Sequence, residues 1–295
     1  MKHIRTSRGT VNTSFQKKTT DYSGFRVTVM GLGLHGGGLA SARFFASRGA
    51  TVTVTDLKDG KTLAPSVEKL ADLSIRFVLG CHETSDFTET DLVIKNPGVP
   101  VDSGYLAHAR DAGVNIETDI SIFLSHCENP VIAVTGSKGK STTVSAIHFC
   151  LSRILPETRL GGNITVSPLT FIDDLEPGAW VVLELSSWQL ADIAGKNCLK
   201  PKVSLITNIL PDHMNRYKGM DDYVADKKLI YTLQDADDFS IFNLDDQYTT
   251  RFMKESCAQK LVFSSKKLPA GMNGAWLMPE GGLLRIGREE HQILP

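Results

Sequence analysis

The chain has 295 residues, 41% of them apolar and 22% charged, with a formal net charge of -1; that length suits two ordinary domains with a core in each. A balance so near neutral leaves no electrostatic footprint for nucleic acid or an anionic surface, and no run of about 18 apolar residues could cross a bilayer as a helix. The five cysteines, Cys81, Cys127, Cys150, Cys198 and Cys257, show no CxxC or other tight metal-ligand spacing and read as free thiols in a reducing cytosol.

Residues 1–20, MKHIRTSRGTVNTSFQKKTT, are basic, rich in Ser and Thr, and without an apolar stretch. They are no secretory signal, and residues 1–22 are expected to form a disordered tail. From Phe25 the pattern changes. FRVTVMG predicts a short buried strand, GLGLHGG a glycine turn, and LASARFFASRG a helix stopped by Gly49. TVTVTD (51–56) is the next strand, and Val67 to Leu73 is expected to be helical. DLVIKNPG is a strand running into a turn, YLAHARDAG a helix, and VNIET a strand. This alternation predicts βαβ units and a parallel sheet over 23–118.

A second alternation fills 119–295. DISIFLSH is a helix, PVIAVTG a strand, and STTVSAIHFCLSRIL a helix whose Val144, Ile147, Leu151 and Ile154 are expected to face the core. WVVLEL, KVSLITN, FSIFN and KLVFSS are further strands, and DDYVADKKLIYTL is helical. GAWLMPEGGLLRIGREEHQILP predicts two or three short antiparallel strands. The fold class expected is α/β: a Rossmann-like domain, then a P-loop-ATPase-like domain with a small antiparallel element.

The strongest chemical signal is VIAVTGSKGKSTT, in which an apolar strand enters Gly136-Ser137-Lys138-Gly139-Lys140-Ser141-Thr142 and a helix follows. Glycines let the backbone turn its N–H groups toward one point, and the helix N-terminus adds positive potential there. Lys140 would meet terminal phosphates and Ser141 a Mg²⁺ ion. The loop is a shortened phosphate loop, since Val134 stands where a full Walker motif has its first glycine. The earlier turn, Gly31-Leu32-Gly33-Leu34-His35-Gly36, lies between strand and helix, and Asp56 ends the following strand. That context suits NAD or equally the diphosphate of a UDP-sugar. Glu184, at the end of an apolar strand, and Asp212 with His213, just past another, complete a candidate nucleotide–metal site.

Taken in order, these pieces resemble the Mur ligase family. The carriers are Thr135-Gly136-Ser137-Lys138-Gly139-Lys140-Ser141-Thr142, Gly161-Gly162-Asn163-Ile164, Glu184-Leu185-Ser186-Ser187-Trp188-Gln189-Leu190, Asp212-His213-Met214-Asn215-Arg216-Tyr217, and Tyr223-Val224-Ala225-Asp226-Lys227. The glycine turn, Asp56, Asn96-Pro97-Gly98 and Thr118-Asp119-Ile120 resemble the members that add D-glutamate. The resemblance implies an ATP- and Mg²⁺-dependent amide ligase of peptidoglycan synthesis. In it the carboxylate of UDP-N-acetylmuramoyl-L-alanine is activated as an acyl phosphate, which the amine of D-glutamate then attacks. It implies nucleotide contacts from the 136–142 loop, with Lys140 catalytic, and from Asn243. It implies metal ligation by Ser141, Glu184, His213 and a carbamylated Lys227, with Lys228 beside it as the alternative. Asn163 is implied near the acyl centre, and Leu34, His35, Asp56 and Gly98 around the uridine diphosphate. A cytoplasmic monomer acting on small molecules, without nucleic acid or membrane partners, is the expected setting. The family's third domain would begin about where this sequence stops, at Ile293-Leu294-Pro295.

Three rival readings remain. An alanine-adding or folylpolyglutamate-type ligase would share the second domain. A nicotinamide-dependent oxidoreductase would leave GSKGKST without a purpose. A non-catalytic UDP-sugar or ATP-binding module would bind its ligand without forming an amide.

Overall fold

A computed structural model of the chain describes residues 20–294, apart from 35, 165 and 216. The expected tail lies, through residue 19, outside the described residues. Packing is already established at Tyr22, which the tail was expected to include. It is 4% exposed, and its ring meets Phe25, Phe44 and Phe45 edge-on.

The chain divides into two compact units. The first ends at Asp119 and takes in Leu169–Asp174; the second holds Ile120–Pro168 and the chain from Leu175 onward. In the first unit the elements are β1 (Arg26–Met30), α1 (Gly37–Ala46), β2 (Thr51–Asp56), α2 (Gly60–Glu68), β3 (Ile75–Leu79), α3 (Ser85–Thr88), β4 (Leu92–Lys95), α4 (Gly104–Asp111) and β5 (Asn115–Glu117). The sheet order is β3-β2-β1-β4-β5, and every pairing is parallel. Strand order therefore reverses between β1 and β4, at the end of β1 that leads into the glycine turn. Val27, Val29, Val52 and Val54 recur at period two and are buried. Met30 projects to the other face and joins Phe87, Val93, Leu106 and Ala109 in a second apolar cluster.

Two expectations for this unit need correction. The helix expected at Val67–Leu73 lies at Gly60–Glu68. Asp59 starts it early, accepting a hydrogen bond from the Thr62 amide at 2.8 Å, and buried Leu63 anchors it. The apolar residues that suggested the later span, such as Leu70, are buried from the turn beyond the helix. Strand β3 was not foreseen. It is an edge strand with only Val78 fully buried, so its sequence carries no clean alternation.

The second unit begins with the body of α5 (Asp119–His126). It continues through β6 (Val131–Thr135), α6 (Lys140–Ser152), β7 (Arg159–Gly162), β8 (Val181–Glu184), α7 (Ser187–Asp192), β9 (Val203–Ile206), α8 (Met220–Lys228), β10 (Phe239–Asn243), α9 (Thr249–Glu255), β11 (Gln259–Ser264), β12 (Gly274–Met278), β13 (Gly281–Ile286) and β14 (Glu289–Leu294). Among the described residues these strands form one sheet of order β14-β13-β12-β11-β10-β9-β6-β8-β7. Pairings from β7 to β12 are parallel, and β12-β13-β14 form the expected antiparallel element. Central β6 is buried along its whole length, as a strand covered on both faces must be. Val144, Ile147 and Leu151 of α6 pack onto Ile132, Val134 and Val182. Ile154, expected in that stripe, is 79% exposed because the helix ends at Ser152 and the stripe ends with it. Helix α8 likewise stops at Lys228, short of the span expected, and turns follow to Leu233. Among the described residues no helix is long and apolar enough to cross a membrane.

In the first unit the close approach of α1 to the glycine turn depends on one position. A Cβ at Gly38 would collide with the carbonyl oxygens of Gly31 and Leu32. Gly38→Ala is expected to destabilise this unit by about 2 kcal/mol. Amide hydrogen exchange in β1 and β2 should then accelerate, and wild-type protection in the variant would refute the tight approach.

Candidate active site

Parallel pairing brings several strand ends of the second unit to one edge. Glu184 at the end of β8 is in register with Val134, and Thr135 with Ile206 of β9. The loop 136–139 leaves β6 there, and α6 begins at Lys140. The first-turn amides of this helix have no intrahelical partner, and no side chain caps them. Unpaired amides at the positive end of a helix are chemically suited to an anion.

The rest of the loop is braced rather than free. The Ser137 amide donates to the Asn208 carbonyl at 2.8 Å, and the Lys138 amide to Asn208 Oδ1 at 2.9 Å. Asn208 Nδ2 and Thr207 Oγ1 both donate to the Lys138 carbonyl, at 3.1 and 2.7 Å. The Ser137 hydroxyl, expected to contact nucleotide, is buried and bonded to Leu210 and Tyr223. Lys138 points outward, and its ammonium pairs with Asp212 at 3.0 Å. That hydrogen bond holds the Asp212 carboxyl below its ordinary range.

Two lysines converge on one acceptor. Lys140 Nζ donates to the Gly136 carbonyl at 3.0 Å and to the Ser137 carbonyl at 3.1 Å. Lys227 Nζ, reaching in from α8, donates to the same Gly136 carbonyl at 2.8 Å. It lies over the Tyr223 ring, 4.7 Å from its centre. Lys227 is 1% exposed, and burial first, then the charge of Lys140, pull its amine down to about 7. Lys140 is pulled down as well, again chiefly by burial. Neighbouring Lys228 is more exposed and paired with Glu255 at 2.5 Å.

Glu184, whose charge acts on Lys140, is 1% exposed. Its Oε1 accepts from Asn163 Nδ2 at 2.8 Å, while Oε2 is buried with no hydrogen-bond partner among the described residues. Asn163 is itself fixed, its amide donating to the Glu184 carbonyl at 2.9 Å. The two chains approach so closely that a Cβ on Gly162 would strike that carbonyl, and Gly162 adopts φ 99°. In this arrangement Asn163 orients a carboxylate. The segment after Glu184 is a capping box: Ser186 Oγ accepts from the Gln189 amide, and Gln189 Oε1 from the Ser186 amide. This pins the start of α7, where Trp188 meets the His213 ring at 5.0 Å. His213 is held at φ 55°, a left-handed conformation that costs about 1 kcal/mol.

Asn243 ends β10 with its side chain already engaged, Nδ2 donating to the Thr207 carbonyl at 2.9 Å and Oδ1 accepting from the Asp245 amide. Among the described residues no three His, Cys, Asp or Glu side chains converge as a metal cage. A cation here would need oxygen from Glu184, the Ser141 hydroxyl and its own ligands. The unpartnered Glu184 oxygen is the feature that fits one.

Within the first unit the glycine turn is tied from three sides. Asp56 Oδ2 accepts from the Gly33 amide at 3.1 Å and Oδ1 from the Lys58 amide at 2.9 Å. Ser66 Oγ donates to the Gly33 carbonyl, a brace the sequence analysis missed. Asn96 Nδ2 donates to the Gly31 carbonyl, and its Oδ1 receives the Gly98 amide. Leu34 is 50% exposed at the tip, and Gly98 is exposed. His35 lies outside the described residues, as does Arg216 of the DHxxRY element.

The depressed Lys227 amine makes stability depend on pH. Between about 7 and its ordinary 10.5 the unfolded chain binds this proton and the folded chain does not. The cost of burying Lys227 is therefore present in full below 7 and relieved as pH rises through that window. In carbonate-free buffer the stability of Lys227→Met relative to wild type should fall from pH 7 to 10, by at most about 1.4 kcal/mol per pH unit. Parallel denaturation curves at each pH measure it, and a constant difference would contradict the depressed amine.

Residues 25–118 match the model of the Mur ligase MurD-like N-terminal domain, and residues 134–275 that of the Mur ligase middle domain. The UDP-N-acetylmuramoylalanine--D-glutamate ligase of Treponema pallidum is 46% identical over 245 residues, covering 79% of this chain and 46% of the relative. The ligase of the same name from Borreliella burgdorferi is 45% identical over 244 residues, 82% of this chain and 52% of the relative. The chain spans about half the length of the curated relatives it matches. Among solved structures, the UDP-N-acetylmuramate:L-alanyl-gamma-D-glutamyl-meso-diaminopimelate ligase from Neisseria meningitides shares the fold. Its TM-score is 0.60 at 14% identity, over 91% of this chain and 84% of that one. Through its MurD-like N-terminal domain and its middle domain, the chain belongs to the Mur ligase family.

Proposed function

We propose that the chain binds UDP-N-acetylmuramoyl-L-alanine at the glycine turn of its first unit and Mg²⁺ with ATP at the phosphate loop of its second. In the reaction it would serve, a carboxylate oxygen of the muramoyl nucleotide bonds to the γ-phosphorus as the bond to ADP breaks. The amine of D-glutamate then displaces phosphate from the acyl carbon and gives up a proton. The observation that carries this reading is the convergence of Lys140, Lys227 and the open end of α6 opposite the unpartnered oxygen of Glu184.

The residues divide the work. Lys140 and the amides that open α6 hold phosphate oxygens and take up charge as the γ-group transfers. Glu184, oriented by Asn163, and the Ser141 hydroxyl hold the cation, with His213 and carbamylated Lys227 beside them. Mg²⁺, when bound, neutralises phosphate charge. Carbamylation needs a neutral amine and yields an anionic oxygen ligand, so the buried, depressed Lys227 suits it and ion-paired Lys228 does not. Asn243 borders the base. Leu34, His35, Asp56 and Gly98 surround the uridine diphosphate, with Asp56 acting first as the brace of the glycine turn. The domain limits we assign are 23–118 and 119–295. A monomer working in the cytoplasm on these small molecules, without nucleic acid or membrane partners, completes the reading.

Thermal unfolding tests it with UDP-N-acetylmuramoyl-L-alanine, Mg²⁺·ATP and NAD⁺ in parallel. A ligand at about a hundred times its dissociation constant adds roughly 2.7 kcal/mol to the native state. The muramoyl nucleotide and Mg²⁺·ATP should each raise the melting temperature, and NAD⁺ should not. A response to NAD⁺ alone would overturn the proposal. Lys140→Ala should abolish the ATP shift and keep the muramoyl one. Asn163→Ala should weaken the effect of Mg²⁺ by releasing Glu184.

A further inference from the structure

Ser137 lies in the phosphate loop, yet its hydroxyl faces the protein. It donates to the Leu210 carbonyl at 2.8 Å and accepts from the Leu210 amide at 2.8 Å. A serine hydroxyl carries one proton, so with that proton on Leu210 the third contact, 2.9 Å from the Tyr223 hydroxyl, has tyrosine as donor. Burial pushes the Tyr223 phenol up and keeps that proton in place. The Ser137 oxygen is thereby saturated and has no valence left for a phosphate.

The three segments meeting there carry the working groups of the site. Ser137 follows Gly136, whose carbonyl accepts from both lysines. Leu210 stands just before Asp212 and the left-handed His213. Tyr223 lies one turn before Lys227 on α8, and its ring underlies the Lys227 amine. Tyr217 packs edge-on against the same ring at 5.1 Å.

We propose that Ser137 and Tyr223 are positioning residues that set His213 and Lys227 relative to Lys140 before a Mg²⁺-nucleotide binds, without touching it. This rests on the nucleotide reading above. It separates two tasks within one loop: the amides beyond Gly139 and Lys140 meet phosphate, while Ser137 locks the loop to the two segments that serve the metal. Losing the phenol oxygen leaves Ser137 with both Leu210 bonds. Losing the serine oxygen removes the partner of the buried Tyr223 hydroxyl and of the Leu210 amide and carbonyl together, so Ser137→Ala also destabilises the fold and Tyr223→Phe is the sharper probe.

The test is calorimetric titration of the chain with AMP-PNP, with and without Mg²⁺, alongside ligand-free melting. Tyr223→Phe should melt within a few degrees of wild type and bind metal-free AMP-PNP as wild type does. It should lose about tenfold of the affinity that Mg²⁺ adds. Ser137→Thr, which keeps the hydroxyl, should restore the Mg²⁺ effect, and Tyr223→Phe with Ser137→Ala should be no worse than Ser137→Ala alone. An unchanged Mg²⁺ effect in Tyr223→Phe, or losses that multiply in the double variant, would overturn this inference while leaving the nucleotide reading intact. Wild-type chain that binds no AMP-PNP would overturn both.

Discussion

One carbonyl oxygen organises the second unit. The carbonyl of Gly136, the first residue beyond β6, accepts hydrogen bonds from Lys140 and from Lys227. Two amines of potential positive charge are thus held together in a buried place; burial lowers the proton affinity of both, and the charge of Lys140 lowers that of Lys227 further. Such a pair is unfavourable unless something anionic arrives or one amine is neutral. Most other features of the site answer that constraint. The loop is strapped to Asn208 so the carbonyl cannot swing away, and α8 is latched through Tyr223 so Lys227 cannot retreat to solvent.

The negative side is built with the same economy. Glu184 is brought to the edge by strand register, aimed by Asn163, and left with one oxygen unsatisfied. A buried carboxylate oxygen without a partner is costly. Beside a phosphate loop, that cost is what a bound cation would relieve. Several motif residues are thus structural: Ser186 and Gln189 cap a helix, Gly162 permits a close approach, and Ser137 locks the loop. A motif of this kind records the scaffold of a site as well as its chemistry.

In the first unit the same distinction applies to Asp56. A strand-end acid after a glycine turn reads as a ligand contact, but here both its oxygens already hold backbone amides. Each carboxylate oxygen can accept more than one hydrogen bond, so bracing and binding are not exclusive. Asn96 plays the matching part from β4, across the point where the strand order reverses.

The sequence by itself determined the α/β class, the parallel order of strand and helix, the antiparallel end and the glycine loop between β6 and α6. Each depends on local periodicity or on glycines at fixed spacing, which are written in consecutive residues. It misplaced α2 and missed β3, because an N-cap and a half-exposed edge strand leave faint apolar patterns. It put Ile154 in the core because periodicity does not announce where a helix ends. Only the tertiary structure decided which motif side chains are bonded within the protein and which are left open. Ser137 and Tyr223 are far apart in the chain and meet through the packing of α8, and Lys227 rather than Lys228 is the buried amine. Burial and hydrogen-bond saturation arise from contacts distant in sequence, and these set the chemistry of each group.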